Sequence, residues 1–459
     1  MKQIFKGTLK VITGLLILLL VCTFCCCKLL DKTPYKQTGF YKNELAELEH
    51  IQPPPGTYSD LQFKRDTIEI GWGRVNLLPT FTTTIAIDAK RGGKHFDGVH
   101  DSIYVRAFVF KQGDKKIAYV SADLLIIPPT VTHLFDSILI KDGFDNSNIY
   151  FTATHTHTSI GAWHNSYVGE IFAGKYDARV PLHIADCISA AIREAEKNCG
   201  AAKIGYAELP TRHLVYNRLV KEKGKVDSLI RIVKIEKDNG TKAAIITFAA
   251  HCTVFHENLM ELSADWAGLM MTQLNKSGKI DFASYSAGAV GSQGPYEETK
   301  NQEDEAKYMA DGVGVIVANN FDSIATHYAT SMRLVHLPFY MRKPNLRITP
   351  NFVVRPWLFN KLFGDEKVYL NTLQLGDIVF AGTPCDFSGE LVGPIDSLAK
   401  SKGLHLLITS FNGGYMGYVT DTKWYSMNAY ETRTMGWFGP QNGDYMSEVI
   451  ERMIGIIAL

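Results

Sequence analysis

The sequence predicts a mixed α/β fold, in which central mixed β-sheets are flanked by helices within one large domain. Three observations support this prediction. Runs rich in β-branched and aromatic residues alternate with a long run of helical periodicity. The 459 residues are 46% hydrophobic and 21% charged, an ordinary globular balance with enough chain for several packed layers. No internal repeat or second linker divides residues 65–459, so we predict a single domain over that range.

The N-terminal segment, residues 1–30, predicts a membrane anchor or a signal segment. "MKQIFKGTLK" carries three lysines and no acid, and from Val11 to Leu30 only Lys28 is charged. About 20 apolar residues span a bilayer, and lysines ahead of such a run favour export of the chain downstream of it. We therefore expect a domain on the exocytoplasmic side, in the cell envelope, periplasm or extracellular space. A cleaved signal peptide, or a lipoprotein signal ending at one of the cysteines between Cys22 and Cys27, remains an alternative.

Residues 31–64 are predicted to be a tether, because they are polar and contain three consecutive prolines, at 53–55, that favour an extended spacer. The remaining cysteines are Cys187, Cys199, Cys252 and Cys385. They are too sparse for a disulfide scaffold and form no CxxC pair, so small buried thiols are expected. The formal net charge of +1 favours no nucleic-acid partner.

The elements follow in order along the domain. One helix, 179–200, has apolar residues at helical spacing and Gly200 as its expected C-cap. A Gly-Asp turn joins the last two predicted strands. The strands are predicted at 101–110, 115–127, 148–157, 228–237, 243–251 and, as a pair, within 370–384.

The stretch "YFTATHTHTSIGAWH", residues 150–164, contains three histidines. On a strand, alternate residues share a face, so we expect His155 and His157 to point the same way at a strand end. Two such imidazoles suit a metal site or an acid/base pair. A hydrogen-bonded polar strand end is the alternative.

Two further stretches resemble the first in their position. "TFAAHCTVFHENLMELSADWAG" places His251 at the end of an apolar strand, and open α/β sheets gather their sites at such ends. "AGTPCDFSGEL" begins a predicted helix in which Asp386 and Glu390 would share one face. In the Gly-rich "FNGGYMGYVTDTKWY", Tyr415 and Tyr418 are candidate packing or substrate contacts.

The order of these motifs resembles the neutral/alkaline non-lysosomal ceramidase family over nearly all of residues 65–459. The resemblance is to the catalytic domain, and we expect no C-terminal β-sandwich domain of the kind that full-length members carry. The motifs, in chain order, are "IYVRAFVF", "THTH", "NR" at Asn217 and Arg218, "VD" at Val226 and Asp227, "AAHCT", "SADWAG", "AGTPCDFSGEL", "NGGYMGYVT" and "FGP".

The resemblance implies a site that holds one Zn²⁺ per chain. It assigns His155 and His251 as nitrogen ligands, and Asp386, where the family has a glutamate, as the carboxylate ligand. A tyrosine is the fourth ligand, and Tyr415 and Tyr418 both remain candidates. His157 is implied as an acid/base catalyst, and Arg218 as a contact to the substrate or its oxyanion.

The sequence also departs from the family. "YSAGAVGSQGP" stands where the family has Gly-Asp-Val-Ser-Pro-Asn, so Ser292 is only a displaced counterpart of a serine with a catalytic role. Three other residues are predicted to contact substrate: Ile160 at the pocket floor, His164 at the rim, and Asp265.

The implied function is zinc-dependent hydrolysis of the N-acyl bond of ceramide or a related N-acyl lipid, yielding a fatty acid and a sphingoid base or amine. A metal-dependent hydrolase of another N-acyl or ester substrate is one alternative, and a non-catalytic, membrane-tethered binding relative is another. Membrane and lipid substrate are the expected partners. "RITPNFVVRPWLFNKLFG", residues 347–364, could rest at a membrane interface or form a core helix and loop.

Overall fold

Two β-sheets packed face to face, with helices on both outer sides, form the body of the protein. The structure is a computed structural model, and it describes residues 8, 12–14, 24–51, 67–86, 91, 93–135, 142–211, 213–296, 301–365 and 367–458. The larger sheet has eight strands. In spatial order these are Phe282–Ala287, Lys242–Phe248, Leu229–Lys237, Gly200–Pro210, Glu69–Asn76, Tyr104–Gln112, Lys115–Ala122 and Ile149–Ala153.

The smaller sheet has four strands, in the spatial order Met332–Pro338, Tyr369–Leu375, Ile378–Thr383 and His405–Ser410. The predicted hairpin is present, because Tyr369–Leu375 and Ile378–Thr383 pair antiparallel around Gly376 and Asp377. Short two-stranded pairings complete the strands: Cys27–Leu29 with Phe352–Val354, Gly98–Val99 with Glu261–Leu262, Val215–Asn217 with Gln293–Pro295, and Asp386–Phe387 with Tyr418–Val419.

The helices form the outer layers. The α-helices are Gly39–His50, Pro129–Thr132, Tyr167–Ala173, Arg179–Lys197, Asp265–Lys276, Gln302–Asn320, Pro356–Phe363, Val392–Ser401 and Asn442–Ile457. Shorter 3₁₀ turns lie at Tyr35–Gln37, Lys221–Lys223, Phe321–Ser323, Gly389–Leu391 and Thr422–Trp424, and a π-helical turn lies at Tyr430–Thr434.

The period-2 alternation of strand side chains explains the layers. In the strand Tyr104–Gln112, Val105 and Val109 pack with Ile184 and Ile188 of the helix Arg179–Lys197. Phe108 and its neighbours on the opposite face pack against the smaller sheet. The mixed α/β prediction is confirmed.

Several predicted boundaries are wrong. The helix starting at Arg179 ends at Lys197 with Asn198 as its cap, and Gly200 begins the next strand instead of capping the helix. The third strand ends at Ala153, so the histidines that follow lie in a loop.

Part of the predicted tether is packed against the domain. In the helix Gly39–His50, Tyr41 and Leu48 are buried, and the hydroxyl groups of Tyr35 and Tyr41 donate to Glu448 at 2.6 and 2.7 Å. These contacts fix residues 35–50 on the surface formed with the helix Asn442–Ile457. The three prolines lie outside the described residues. The division at residues 30 and 64 therefore stays a prediction.

Most of the predicted membrane segment, residues 1–30, lies outside the described residues as well. Within the described ranges, no helix combines the length and the apolar character needed to cross a bilayer.

Candidate metal centre

The candidate site lies where loops from both sheets meet. His155 follows the strand ending at Ala153, and His251 follows the strand ending at Phe248. Asp386 follows the strand ending at Thr383 in the smaller sheet. Each of these strands has a parallel neighbour, and the carboxyl ends of parallel strands are where α/β sheets place their sites.

Three histidines form the centre of the site. His155, His157 and His251 each offer a nitrogen, and these nitrogens lie within 4.8 Å of one another. The Nε2 atoms of His155 and His157 are 3.3 Å apart. The sequence pattern predicted that the two rings share one face of a strand, and this prediction is wrong, because the strand ends at Ala153. Instead His155 adopts a left-handed φ of 63° in the loop, which turns the two rings nearly perpendicular, at 89°.

Backbone carbonyl groups orient two of these rings. His155 Nδ1 lies 2.7 Å from the oxygen of Leu125, and His251 Nδ1 lies 2.7 Å from the oxygen of Gln293. Since a carbonyl only accepts, each Nδ1 carries the proton and each Nε2 lone pair points to the centre. This is the arrangement in which proteins hold metal-binding imidazoles. Phe411 stacks on His155 at 4.0 Å between ring centroids and fixes the ring plane.

Asp386 completes the centre. Its Oδ1 lies 3.4 Å from His155 Nε2 and 3.2 Å from His251 Nε2, and the side chain is fully buried. The prediction that Asp386 and Glu390 share one helix face is wrong, since Asp386 lies in the short strand Asp386–Phe387 and Glu390 in the following 3₁₀ turn. Glu390 instead accepts from Asn217 and Trp424.

Two tyrosines lie at the same centre but face different groups. Tyr415 donates its hydroxyl proton to Asp386 Oδ2 at 2.8 Å. The Tyr418 oxygen lies 3.3 Å from His251 Nε2 and accepts from Arg218 at 2.9 Å. Arg218 is held in turn by Glu431, at 3.0 Å.

A buried arginine supports the loop that carries His157. Arg91 is 1% exposed and donates to the backbone oxygens of His157 and His256. It thereby ties together the segments that follow two different strands. The sequence pattern gave no sign of this residue, because nothing near Arg91 resembles a site motif.

The electrostatics favour neutral rings at His157 and His251 beside an ionised Asp386. Burial, with repulsion from Arg218, lowers the pKa of His251 to about 3. Burial, followed by repulsion from His155 and His251, lowers the pKa of His157 well below its ordinary value. Burial alone would raise the pKa of Asp386, but the adjacent His155 and His251 hold it well below its usual range. Neutral nitrogen lone pairs and an anionic oxygen are the donors a divalent metal requires.

The residues present fit a metal. Among the described residues, the buried Asp386 Oδ1 has no hydrogen-bond donor, although it faces two Nε2 atoms that carry no proton. Such an oxygen is costly to bury unless something cationic occupies the space between. The geometry is therefore consistent with the predicted metal, without identifying the ion.

The centre forms the inner end of a cavity of about 520 Å³. His155, His157, Tyr415 and Tyr418 line the inner end. The walls are mainly apolar and aromatic, and come from several outer helices and loops. They include Leu125, Trp163, Val168, Phe172, Phe359, Phe363, Val368, Trp437 and Phe438. A mostly apolar cleft with a few converging polar groups is typical of a small-molecule or lipid site.

The other predicted site residues are distributed unevenly. His164 lines the cavity, and its Nδ1 accepts from the backbone N–H of Ser166. Its contact with substrate stays a prediction. Ile160 is fully buried and does not line the cavity. It supports Trp163, whose indole N–H donates to the Ile160 backbone oxygen. The wall residue is thus Trp163, which the motif comparison did not single out.

Asp265 and Ser292 also lie behind the site. Asp265 is buried and accepts from the backbone N–H groups of Val254, Phe255 and Trp266, so it shapes the loop after His251 and does not line the cavity. Ser292 bonds through its hydroxyl to Ser388 at 2.5 Å. Its backbone oxygen accepts from the Arg218 N–H, which makes it a support for that arginine.

Comparison with known proteins agrees with this geometry. Residues 91–292 match the family described as "Neutral/alkaline non-lysosomal ceramidase, N-terminal". The matched range contains all three histidines and Arg218, while Asp386 and both tyrosines follow it. The resemblance drawn from the motifs is confirmed, and with it the prediction of a hydrolase of the ceramidase type.

Solved structures extend the likeness beyond that range. The crystal structure of neutral ceramidase from Pseudomonas aeruginosa is similar, with a TM-score of 0.72 at 16% identity, covering 85% of this chain and 75% of that one. A structure described as "Ceramidase complexed with C2" gives the same TM-score and identity over 84% and 75%. At this identity the likeness establishes the fold. No curated protein matches the chain in sequence.

Proposed function

We propose that this protein is a zinc-dependent amidohydrolase, in keeping with the match of residues 91–292 to the neutral/alkaline ceramidase family. It cleaves the N-acyl bond of ceramide or a related N-acyl lipid into a fatty acid and a sphingoid base or amine. One observation carries the proposal. Two Nε2 atoms without a proton, those of His155 and His251, meet the Oδ1 atom of Asp386 at the inner end of an apolar cavity. Within the described part of the chain, that oxygen has no hydrogen-bond partner.

His155, His251 and Asp386 would hold the ion. Tyr418 is the proposed fourth ligand, because its hydroxyl lies beside the Nε2 atom of His251. Two imidazoles and a carboxylate are a common donor set for catalytic zinc, and mixed nitrogen and oxygen donors favour zinc over magnesium or calcium. Bound there, zinc would lower the pKa of a water and polarise the scissile carbonyl. Tyr415 supports the centre by fixing the second oxygen of Asp386.

His157 is the proposed acid/base catalyst. It is partly exposed to the cavity, in contrast to the fully buried His251. Burial and the two neighbouring imidazoles keep its ring neutral by lowering its pKa, so it can accept a proton from the attacking water. It then delivers that proton to the leaving amine nitrogen, which is otherwise a poor leaving group.

Arg218 is proposed to stabilise the oxyanion. Its guanidinium donates to the Tyr418 oxygen and so places a positive charge beside the centre. Such a preorganised donor is worth about 3 kcal/mol in a water-poor site. Glu431 keeps the guanidinium in place.

The walls of the cavity support a lipid substrate. An acyl chain buried among Trp163, Phe172, Phe363 and Trp437 would gain about 0.8 kcal/mol per methylene removed from water. The apolar N-terminal run, preceded by three lysines, supports an exported and membrane-anchored enzyme. An enzyme at that location would meet an amphiphilic substrate in its own bilayer.

The test is product analysis on one preparation. The full chain, purified in detergent, is incubated with an N-acyl sphingoid lipid and with the matching O-acyl ester. Fatty acid and amine are quantified before chelation, after chelation, and after zinc is restored. Equimolar fatty acid and sphingoid base, lost on chelation and recovered with zinc, is the expected result.

Other outcomes overturn specific parts of the proposal. Ester cleavage without amide cleavage would assign the same site to a different substrate. Amide cleavage that survives chelation would remove the metal from the reaction. Bound zinc with no cleavage of either compound would point to a binding protein.

A further inference from the structure

The surface around the mouth of the cavity is rich in apolar side chains. Among the described residues, many of the exposed large apolar side chains lie on the elements that surround this mouth. The helix Tyr167–Ala173 lines the cavity through Val168 and Phe172, and contacts the helix Pro356–Phe363, which lines it through Trp357 and Phe359. The exposed side chains on these and adjoining elements are Phe24, Leu29, Tyr167, Ile171, Ile348, Phe352, Trp357 and Tyr430.

The chain next to the N-terminal apolar run is fastened to the same surface. The strand Cys27–Leu29 pairs antiparallel with Phe352–Val354, and this pairing places Leu29 opposite Phe352. Trp357 Nε1 donates to the Cys25 oxygen at 3.3 Å, and Arg355 Nε donates to the Phe24 oxygen at 3.0 Å. The described end of the apolar run, Phe24–Leu29, therefore lies beside the rim of the cavity.

The charges at this rim complement an anionic surface. Partial burial lowers the pKa of Lys28, although the nearby Asp31 raises it. Repulsion from Lys343, Arg342 and Arg355 lowers this pKa further. These cations thus lie close together. Lys343 is exposed and lines the cavity, while Arg342 is paired with Asp31. Aromatic and apolar side chains bordered by lysine and arginine are typical of surfaces that rest in lipid headgroups.

We propose that this rim is a bilayer-docking surface, which seats the mouth of the cavity against anionic lipid. We define the docking rim as Phe24–Leu29, Tyr167, Ile171, Ile348, Phe352 and Trp357. The N-terminal run supplies membrane attachment, and the strand pairing at Cys27–Leu29 fixes the orientation of the domain. This inference rests on the proposed function for its substrate, but the contact with lipid is measurable without it.

The first test measures lipid contact alone. The full chain is reconstituted into vesicles of phosphatidylcholine with a minor fraction of phosphatidylserine, with and without brominated acyl chains that quench tryptophan fluorescence. Trp357 is 53% exposed, so quenching should fall in Trp357→Phe and remain in the matched control Trp424→Phe. Equal quenching in the two variants would overturn the proposal whether or not the protein is an enzyme.

The second test separates docking from tethering. The variant Leu29→Ser/Ile171→Ser/Phe352→Ser changes the docking rim at residues that do not line the cavity. The control Val99→Ser/Leu182→Ser/Val315→Ser removes apolar side chains of comparable exposure elsewhere. We expect the rim variant to lose about tenfold in hydrolysis of vesicle-embedded N-acyl lipid, as loss of about 1.4 kcal/mol of seating energy would produce. Hydrolysis of a water-soluble, short-chain N-acyl amide should stay near wild type.

Other results would bear on the docking and on the hydrolase separately. Equal activity of the rim variant and its control on embedded lipid would refute docking while leaving the hydrolase intact. A loss on the soluble substrate as well would mean that the substitutions disturb the site. A shift in oligomeric state, measured by sedimentation in detergent, would assign the rim to a second copy of the chain. Absence of activity on both substrates in wild type would refute the proposed function, and the quenching experiment would still decide the docking.

Discussion

The two ends of the cavity are built on different principles. At the inner end, His155, His251 and Asp386 are almost fully buried, and each ring or carboxylate is oriented by a further hydrogen bond. At the outer end, residues such as Trp357 and Tyr167 are more than half exposed on short helices. The inner end draws on strands of both sheets, whereas the outer end draws on helices and loops outside them.

The two ends therefore have different roles, with the chemistry at the inner end and the choice of substrate at the outer end. A donor set anchored to two sheets has little freedom, so changes there should abolish the reaction altogether. Apolar walls made by separate helices contribute area, and area is lost gradually with each truncation. Substitutions at the two ends test this contrast.

The largest effect is expected from His155→Ala and His251→Ala. Either change removes a nitrogen donor from a fully buried centre, so bound metal and amide hydrolysis should both fall to background. The measurements are elemental analysis and product release on the same sample. His164→Ala serves as control, since His164 lines the cavity outside the centre, and it should retain metal. Full metal retention in both variants of the centre would refute the ligand assignment.

A selective effect is expected from His157→Ala. Because His157 moves a proton rather than holding the ion, the variant should keep its metal while kcat falls by about 10²- to 10⁴-fold. Steady-state kinetics together with metal content test this. Loss of metal in parallel with activity would make His157 a third nitrogen ligand instead.

A smaller effect is expected from Glu431→Gln, which keeps the shape but removes the charge that holds Arg218. We predict a loss of about 10- to 100-fold in kcat, with metal content unchanged. Since Glu431 acts through Arg218, the KM should change less than kcat. An unchanged kcat would contradict the proposal that Arg218, held by Glu431, stabilises the transition state.

The outer end should respond to chain length. Phe172→Ala shortens the cavity wall without touching the centre, so it should raise KM for long-chain N-acyl substrates by about tenfold. Short-chain substrates should be hydrolysed as by wild type. An equal effect on both chain lengths would contradict the division between the two ends.

A buried carboxyl group that does not line the cavity provides the last contrast. Burial raises the pKa of Glu44 to about 7 from an ordinary 4.5, whereas the imidazoles beside Asp386 hold the pKa of that carboxyl low. The native state therefore favours the protonated form of Glu44, so its contribution to stability is full below pH 4.5 and is lost as the pH rises to 7. This amounts to at most about 3 kcal/mol.

Glu44→Gln mimics the protonated form. Its free energy of unfolding, measured with denaturant from pH 4 to 8, should not fall between pH 4.5 and 7 as that of wild type does. At pH 8 the variant should therefore be more stable than wild type. Its activity should be unchanged. A parallel pH dependence in both proteins would show that Glu44 titrates normally.

The sequence predicted the inner end better than the outer end. The resemblance to the family singled out His155, His251 and Asp386, and the structure brings these three side chains together. Their role as metal ligands stays a prediction. The sequence pattern misjudged how they meet, since a left-handed residue at His155 cannot be read from periodicity. Arg91, Phe411 and Glu431 were missed because their roles depend on contacts between segments distant in sequence.

The outer end left little local signal. Trp163, Phe172 and Trp437 come from three separate segments, and nothing in any one of them indicates a shared wall. Ile160 was expected at the pocket floor, but its side chain turns into the core and its carbonyl positions Trp163. The stretch at 347–364 combines a buried Phe359 with an exposed Trp357 on one short helix.

The metal-to-chain ratio of wild type, Asp386→Ala and Glu390→Gln, purified in parallel, decides whether the centre holds an ion through Asp386. Both acids are buried in the same loop region, but only Asp386 faces the imidazoles. We predict about one zinc per chain in wild type and Glu390→Gln, as expected for a single four-coordinate site, and almost none in Asp386→Ala. A metal-free wild type, or full occupancy in Asp386→Ala, would contradict this prediction.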